Sequence, residues 1–171
     1  MVDVKILIVY DSITSNVEAM ANAVQEGVTA AGGKATIKRP EEVDPATIQQ
    51  YDAYAFGSPT HCGTMSTKMN DFFNNKLHKL WGRLDHKVAV AFTSSGGLGG
   101  GNEVTLFHLL SVILNFGMIT FGIPDYVSRD VTLHYGAVAI KTPNVDSLNA
   151  CKLLGEKLVE HTAIIKKGLS K

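Results

Sequence analysis

The chain has 171 residues, enough for one domain spanning residues 1–171. Its 16 Lys and Arg residues balance 16 Asp and Glu residues, which argues against nucleic acid or an anionic membrane surface as a partner. Its two cysteines, Cys62 and Cys151, stand outside any CxxC or CxxH spacing, which argues against a zinc site or a disulfide framework. The first apolar run is too short for a signal peptide and no run reaches transmembrane length, so we expect a soluble, cytoplasmic protein without membrane insertion.

The first half of the chain alternates between strand and helix patterns. Residues 4–10 are almost entirely apolar, which predicts a strand buried on both faces. A helix is expected next, ending near Ala31, because apolar residues recur there at helical spacing and two glycines follow. We then predict a second strand at residues 35–39, a polar connection with one helical turn at 40–50, and a third strand at 51–56.

The second half continues this alternation, which implies a parallel sheet with helices on both faces. A helix is predicted from about Ser66 to Leu80, followed by a fourth strand at 88–92. The segment 103–116 predicts a helix that is apolar on nearly every side, which favours contact with another subunit over packing within the chain alone. We predict a fifth strand at 118–124, an irregular segment at 124–144 containing a short strand at 137–140, and a last helix from about 146 to 166.

The predicted fourth strand leads into a glycine-rich loop at residues 93–101, which holds three hydroxyl residues and five glycines. The loop lacks the third glycine of GxGxxG and the Gly-Lys-Ser/Thr of a P-loop. Small residues allow backbone N–H groups to approach a ligand closely, at the sheet edge where open α/β folds bind ligands. We therefore interpret the segment as a ligand loop of another kind; a flexible surface turn is the alternative.

The loop after the first strand predicts an anion site. Ser12, Thr14, Ser15 and Asn16 stand directly before the first helix, so their side chains, the free N–H groups and the positive end of the helix dipole can hold a phosphate monoester without any Lys or Arg. Ordinary helix capping is the alternative, but it accounts for one such residue rather than four.

Right-handed crossovers bring the loops after the first, third and fourth strands to one edge of the sheet. The second and third loops are rich in small residues and nearly free of charge. They can offer backbone donors and acceptors to the edge of a flat heterocycle and apolar walls to its faces. The three loops together predict one ligand with a phosphate at one end and a heterocycle at the other.

The three loops resemble those of a known family. Residues 12–17, Ser-Ile-Thr-Ser-Asn-Val, are similar to the hydroxyl-rich phosphate loop of flavodoxins. Residues 57–65 and 94–103 resemble the second and third flavin loops of the tryptophan-repressor-binding-protein branch, which comprises flavodoxin-like NAD(P)H:quinone oxidoreductases, and residues 116–118 and 135–137 resemble later landmarks of that branch. The resemblance implies a flavodoxin-like three-layer α/β sandwich with a five-stranded parallel sheet, one FMN per subunit, and a homo-oligomer, usually a tetramer.

Some positions depart from the pattern of that branch. His61 and Cys62 stand where Arg and Phe are common, and Asn115 stands where a histidine commonly lies near the flavin of a neighbouring subunit. An aromatic residue that helps form the substrate pocket in that branch has no clear counterpart here, although Trp81 lies close by in sequence. His61 is interpreted either as a hydrogen-bond donor to substrate or as a solvated loop residue, and Cys62 either as a reactive thiolate or as a small apolar spacer.

The resemblance implies two-electron transfer from NAD(P)H, the co-substrate, through FMN to a quinone or similar small acceptor, with no side chain required as general acid or base and no metal. A one-electron flavodoxin-type carrier is the alternative; such carriers are typically strongly acidic, so the neutral charge favours the enzyme. A third interpretation is an interaction protein that has lost its flavin. The implied cofactor-binding residues are Ser12, Ile13, Thr14, Ser15, Asn16 and Val17, then Pro59, Thr60, His61, Cys62 and Gly63, then Ser94, Ser95, Gly96, Gly97, Leu98 and Gly99, and finally Asn115.

Overall fold

The computed structural model of the chain describes residues 3–170, except for the side chains of Asp125 and Tyr126, and it confirms the alternation of strands and helices. The strands are β1 (Lys5–Tyr10), β2 (Lys34–Lys38), β3 (Ala53–His61), β4 (Thr64–Met65), β5 (Val88–Ser95), β6 (Ile123–Ser128), β7 (Val131–Leu133) and β8 (Ala137–Ile140). The α-helices are α1 (Asn16–Ala30), α2 (Pro45–Ile48), α3 (Thr67–Asn75), α4 (Asn102–Asn115) and α5 (Val145–Leu169), with 3₁₀ turns at Pro40–Glu42 and Leu77–Leu80.

Five strands form a parallel sheet in the order β2-β1-β3-β5-β8, and β4 adds a short antiparallel piece to the end of β3. The chain winds from β1 outward to β2 and then returns to the other side of β1 to build β3, β5 and β8. The carboxyl ends of β1 and β3 therefore flank a topological switch point, where open α/β sheets bind their ligands.

Two apolar cores cover the two faces of the sheet. On one face, α1 and α5 pack over alternate residues such as Ile6, Ile8 and Phe92. On the other face, α3 and α4 pack over the intervening residues, including Leu7 and Val9. Because successive strand residues point to opposite faces, a strand buried on both sides must be apolar almost throughout, as β1 is. The predicted three-layer arrangement is confirmed.

The predicted fifth strand at 118–124 is wrong, because the strand that pairs along β5 is β8. Within 118–124, Ile119 alone hydrogen-bonds to the sheet: its N–H donates to the Lys87 carbonyl, and its own carbonyl accepts from the Ala89 N–H, both at 2.8 Å. Two segments therefore occupy the sheet edge beside β5: Ile119 pairs with its beginning, and β8 pairs with its end. The chain between them leaves the sheet to form the antiparallel β6–β7 hairpin.

Several element boundaries also differ from the sequence prediction. The strands β3 and β5 continue through His61 and Ser95, so the first residues of the predicted second and third loops are strand residues. The predicted helix from Ser66 to Leu80 is α3 followed by a separate 3₁₀ turn. Among residues 3–170, no helix combines the length and the apolarity needed to cross a bilayer.

Candidate functional site

A cavity of about 340 Å³ lies at the carboxyl edge of the sheet. It is lined by residues that follow or end four of the five parallel strands, β1, β3, β5 and β8, and so it sits beside the topological switch point. Its lining residues are Ser12, Ile13, Thr14, Asn16, Val17, Pro59, Thr60, His61, Ser94, Ser95, Gly96, Lys141 and Thr142.

The cavity brings together residues from all three predicted loops, but not every predicted residue lines it. Ser15, Cys62 and Gly97 are chain neighbours of lining residues but stand outside the lining itself, as does Gly63. Leu98 and Gly99 face a different cavity, toward β8 and the start of α5. Asn115 lies apart from all of these, at the end of α4. There it shares a separate cavity of about 210 Å³ with Trp81 and Phe116.

The first helix begins without a side-chain cap. Ser15, its N-cap residue, adopts a left-handed backbone with φ of 61° and makes no side-chain capping bond. The helices α2, α3 and α5, by contrast, are capped by the side chains of Asp44, Ser66 and Asn144. The first bond within α1 is donated by the Ala19 N–H to the Ser15 carbonyl, so the N–H groups that precede it are left for another acceptor. This arrangement argues against the capping interpretation and favours an anion.

Ser12 holds an unused donor at the same place. Its residue is 7% exposed, and its Oγ is buried and has no hydrogen-bond partner among residues 3–170. A buried hydroxyl left in this state costs roughly 1–3 kcal/mol, so such groups are found mainly where a ligand or water completes them. Together with the uncapped helix, this hydroxyl fits a phosphate group in the cavity.

The floor between the second and third loops is fixed by hydroxyl groups. The Thr93 hydroxyl donates to the Ser58 carbonyl at 2.7 Å and lies 3.1 Å from the Thr60 hydroxyl. The Ser58 Oγ accepts from the Ser66 N–H at 2.8 Å, which ties the start of α3 to the end of β3. Because these bonds join β3, β5 and α3, the cavity walls are held in place before any ligand arrives.

The second loop is a tight hairpin turn. His61 pairs with Thr64 across it, and Cys62 and Gly63 form the two-residue tip with φ of 52° and 78°. Two consecutive residues with positive φ are typical of a type I′ turn, and a non-glycine residue at the first position is uncommon. The turn places half-buried His61 in the cavity wall and leaves Cys62 exposed. The hydroxyl of Thr64 also lies 2.7 Å from Nδ1 of His108, which links the hairpin to α4.

The third loop is an open glycine turn that leads into α4. Its shape is closed by the Gly100 N–H, which donates to the Gly97 carbonyl at 3.0 Å, and by the Ser95 hydroxyl, which donates to the same carbonyl at 3.0 Å. A Cβ atom added to Gly96 or Gly97 would meet no atom within 4 Å, so space for a ligand remains beside the backbone. Like α1, α4 starts without a side-chain cap.

Lys141 and Thr142 line the cavity but were missed in the sequence. They follow β8, which the sequence predicted only as a short strand within an irregular segment, so its carboxyl end was not counted among the ligand loops. The Lys141 N–H donates to the Ser95 carbonyl at 2.8 Å, and its backbone is left-handed with φ of 57°. The predicted anion site needs no Lys or Arg in the first loop, whereas the cavity as a whole contains one lysine in its wall.

Comparison with known proteins agrees with this geometry. A family model described as Flavodoxin matches residues 8–105, which is more than half of the chain. A flavodoxin from Aquifex aeolicus is 45% identical over 168 residues, covering 96% of this chain and 90% of the relative. An NAD(P)H dehydrogenase (quinone) from Archaeoglobus fulgidus is 33% identical over 184 residues, covering 91% and 96%.

The fold comparison gives the same result. The structure of a flavodoxin from the domain Archaea superposes with a TM-score of 0.77 at 23% sequence identity, covering 93% of this chain and 99% of that one. This likeness concerns the fold alone, whereas the family model and the relatives above concern the sequence as well. The parallel sheet, the cavity at its switch point and the sequence matches lead to one conclusion: the chain belongs to the flavodoxin family of flavoproteins.

Proposed function

We propose that this protein is an FMN-dependent oxidoreductase that transfers two electrons from NAD(P)H to a quinone. One observation carries the proposal: a single cavity has an uncapped helix N-terminus at one end and loops of small residues at the other. The Archaeoglobus fulgidus relative is named NAD(P)H dehydrogenase (quinone), which supports the same chemistry. The chain's neutral net charge also suits an enzyme that meets small molecules better than a carrier that docks electrostatically.

The residues present fit FMN. The unpartnered Ser12 hydroxyl and the free N–H groups at the start of α1 provide donors for a phosphate, and Lys141 lies in the wall of the same cavity. In this assignment Thr14, Ser15 and Asn16 complete the phosphate site. The two remaining loops hold the ring through the backbone and side chains of the residues that line the cavity, 59–61 and 94–96.

Bound FMN supplies the hydride chemistry, so the chain contributes binding, orientation and electrostatics. Backbone N–H groups of the glycine loop act as fixed dipoles toward negative charge that develops beside them. The imidazole N–H of His61 in the cavity wall donates a hydrogen bond to a carbonyl oxygen of the quinone or of the nicotinamide. The loops also exclude water from one side of the site.

We also propose a homo-oligomer, either a dimer or a tetramer. The outer face of α4 leaves Val104, Phe107 and Leu114 exposed at 48%, 51% and 61%, which is unusual for three large apolar side chains on one helix. Asn115 lies at the end of that helix beside half-exposed Trp81. If subunits meet there, Asn115 can approach a neighbouring cavity. Analytical ultracentrifugation that finds only monomer would remove this part of the proposal.

The test is an anaerobic reduction followed by reoxidation in one cuvette. Apoprotein is loaded with FMN and freed of excess, then mixed with NADH or NADPH. We expect the flavin absorbance to bleach at a catalytically useful rate and to return when a benzoquinone is added. A matched His61→Gln variant keeps hydrogen-bonding capacity in the side chain, and His61→Ala removes it; we expect slower turnover only in the second. Loaded protein that does not respond to either nicotinamide would contradict the proposal.

A one-electron carrier is the second candidate, because the Aquifex aeolicus relative, at 45% identity, is named a flavodoxin. A carrier would also load with FMN, but it would be indifferent to NADH and NADPH and would exchange electrons with a protein partner. The same cuvette therefore separates the two functions.

A further inference from the structure

We propose that Arg39 is a positioning residue for the anion-binding end of the cavity: it holds the first loop in a phosphate-accepting shape and neutralises a nearby carboxylate without itself lining the site. This inference rests on the proposed function, because the site is the same cavity. It adds a residue that lies 27 positions from Ser12 in sequence, directly after β2, and the carboxyl end of β2 contributes nothing to the cavity lining.

The contacts of Arg39 converge on the first loop. Its Nη1 donates to the Ser12 carbonyl at 3.0 Å, and its guanidinium carbon lies 5.2 Å from the centre of the Tyr10 ring. Its own N–H donates to Oε2 of Glu42 at 2.7 Å, which fixes the backbone from which the side chain extends. Arg39 is thus held at both ends, by the turn after β2 and by the end of β1.

The bond to the Ser12 carbonyl sets the direction of the next N–H group. The peptide between Ser12 and Ile13 is trans, so its carbonyl and its N–H point in opposite directions. The carbonyl accepts from the Arg39 guanidinium, so the N–H of Ile13 points away from that guanidinium. Ile13 itself lines the cavity, among the ends of β1, β3, β5 and β8, and we assign its N–H to the anion there. Without Arg39, this peptide is free to turn its carbonyl oxygen toward the anion.

Arg39 also neutralises the one carboxylate in the first turn of α1, that of Glu18. Its Nη2 lies 3.6 Å from Oε2 of Glu18, and the Tyr10 hydroxyl donates to Oε1 of the same residue at 3.0 Å. Burial raises the pKa of Tyr10, and the hydrogen bond to Glu18 raises it further, so the phenol remains a donor throughout the neutral range. An unneutralised Glu18 would repel a phosphate dianion at the helix N-terminus.

The two effects predict a loss that depends on the phosphate. FMN carries a phosphate, and riboflavin has the same ring and ribityl chain without it. For Arg39→Met we expect FMN affinity to fall by about tenfold or more, since a charge-assisted hydrogen bond and a neutralising charge are removed together. Riboflavin affinity should stay within about twofold of wild type, because the ring loops are untouched. Arg39→Lys keeps the charge but not the planar fork, so its FMN affinity should lie between those of wild type and Arg39→Met.

The measurement is quenching of flavin fluorescence on titration of each apoprotein, with FMN and with riboflavin. Arg83→Met serves as the matched control, since Arg83 is exposed and outside the cavity lining. Adding Glu18→Gln to Arg39→Met should restore part of the FMN affinity by removing the uncompensated charge; no recovery would overturn the electrostatic half of the proposal. Riboflavin binding reports that each variant is folded.

Two results would overturn the inference as a whole. The first is an Arg39→Met variant that binds FMN as tightly as wild type. The second is an equal loss of FMN and riboflavin affinity, which would mean that Arg39 only supports the fold. Wild-type protein that binds neither flavin would instead refute the proposed function, so the two failures are distinguishable.

Discussion

Ser12 and Ser66 are both buried serines near the start of a helix, but only the Ser66 hydroxyl is hydrogen-bonded within the described part of the chain. The Ser66 Oγ accepts from the Met69 N–H at 3.3 Å and caps α3, whereas the Ser12 Oγ has no partner in the described part of the chain. A residue whose polar atom is unused by the fold is available to a ligand. We therefore expect Ser12 to contribute to ligand binding and Ser66 to contribute to the stability of the fold.

Substitution of each serine by alanine should show this difference. Ser12→Ala removes an unsatisfied hydroxyl, so we expect the free energy of unfolding of the apoprotein to stay within about 1 kcal/mol of wild type, while FMN affinity falls about tenfold. Ser66→Ala removes a cap and should destabilise the apoprotein by about 1 kcal/mol, with little change in FMN affinity. Urea unfolding and FMN titration measure the two quantities. A Ser12→Ala variant that binds FMN normally would contradict the assignment of the phosphate site.

At the residue scale, the sequence indicates those site residues that cluster along the chain. Ser12, Thr14 and Asn16 are found because small polar residues are dense between a buried strand and a helix. Arg39 and Lys141 are not found, because their relation to the site depends on which strands are neighbours and on their register. Arg39 reaches Ser12 only because β2 pairs with β1, and Lys141 reaches Ser95 only because β8 pairs with β5.

At the element scale, the packing of α1 against α5 depends on two glycines. A Cβ atom on Gly27 would lie 1.9 Å from the Lys152 carbonyl oxygen, and one on Gly155 would lie 2.2 Å from the Val24 carbonyl oxygen. The two helix backbones therefore approach each other too closely for any side chain at these positions. This contact supports the helix whose N-terminus faces the cavity.

Gly27→Ala should therefore destabilise the protein by roughly 1–3 kcal/mol, because the helices must move apart. Gly168→Ala is the control: Gly168 also lies in a helix, but a Cβ there would meet no atom within 4 Å, so alanine should be neutral or stabilise by up to about 1 kcal/mol. Chemical unfolding of both variants measures the difference. A Gly27→Ala variant as stable as wild type would show that the close approach of α1 and α5 is not required.

The misplaced fifth strand shows why apolar runs are ambiguous. The segment 118–124 is apolar because Met118 and Ile123 are each buried, at 2% and 6% exposure, in the cores on opposite sides of the sheet. Burial of that kind looks the same in the sequence as burial in a strand. The strand that completes the sheet, β8, is the short strand predicted at 137–140, but its four residues do not reveal that it pairs with β5.

At the scale of the whole molecule, the sheet order is what turns separate sequence signals into one site. Alternating strands and helices predict the α/β class and the edge at which loops gather, and the structure confirms both. The β6–β7 hairpin, the extension of β3 and β5 into the loops, and the contribution of β8 depend on long-range pairing, which local patterns do not encode.

The most direct test of the account is an experimental structure of the protein with FMN. We predict the phosphate at the start of α1, within hydrogen-bond distance of the Ser12 hydroxyl and of free N–H groups of the first helical turn. We predict the ring between residues 59–61 and 94–96. FMN bound with its phosphate away from α1, or in another cavity, would contradict the account.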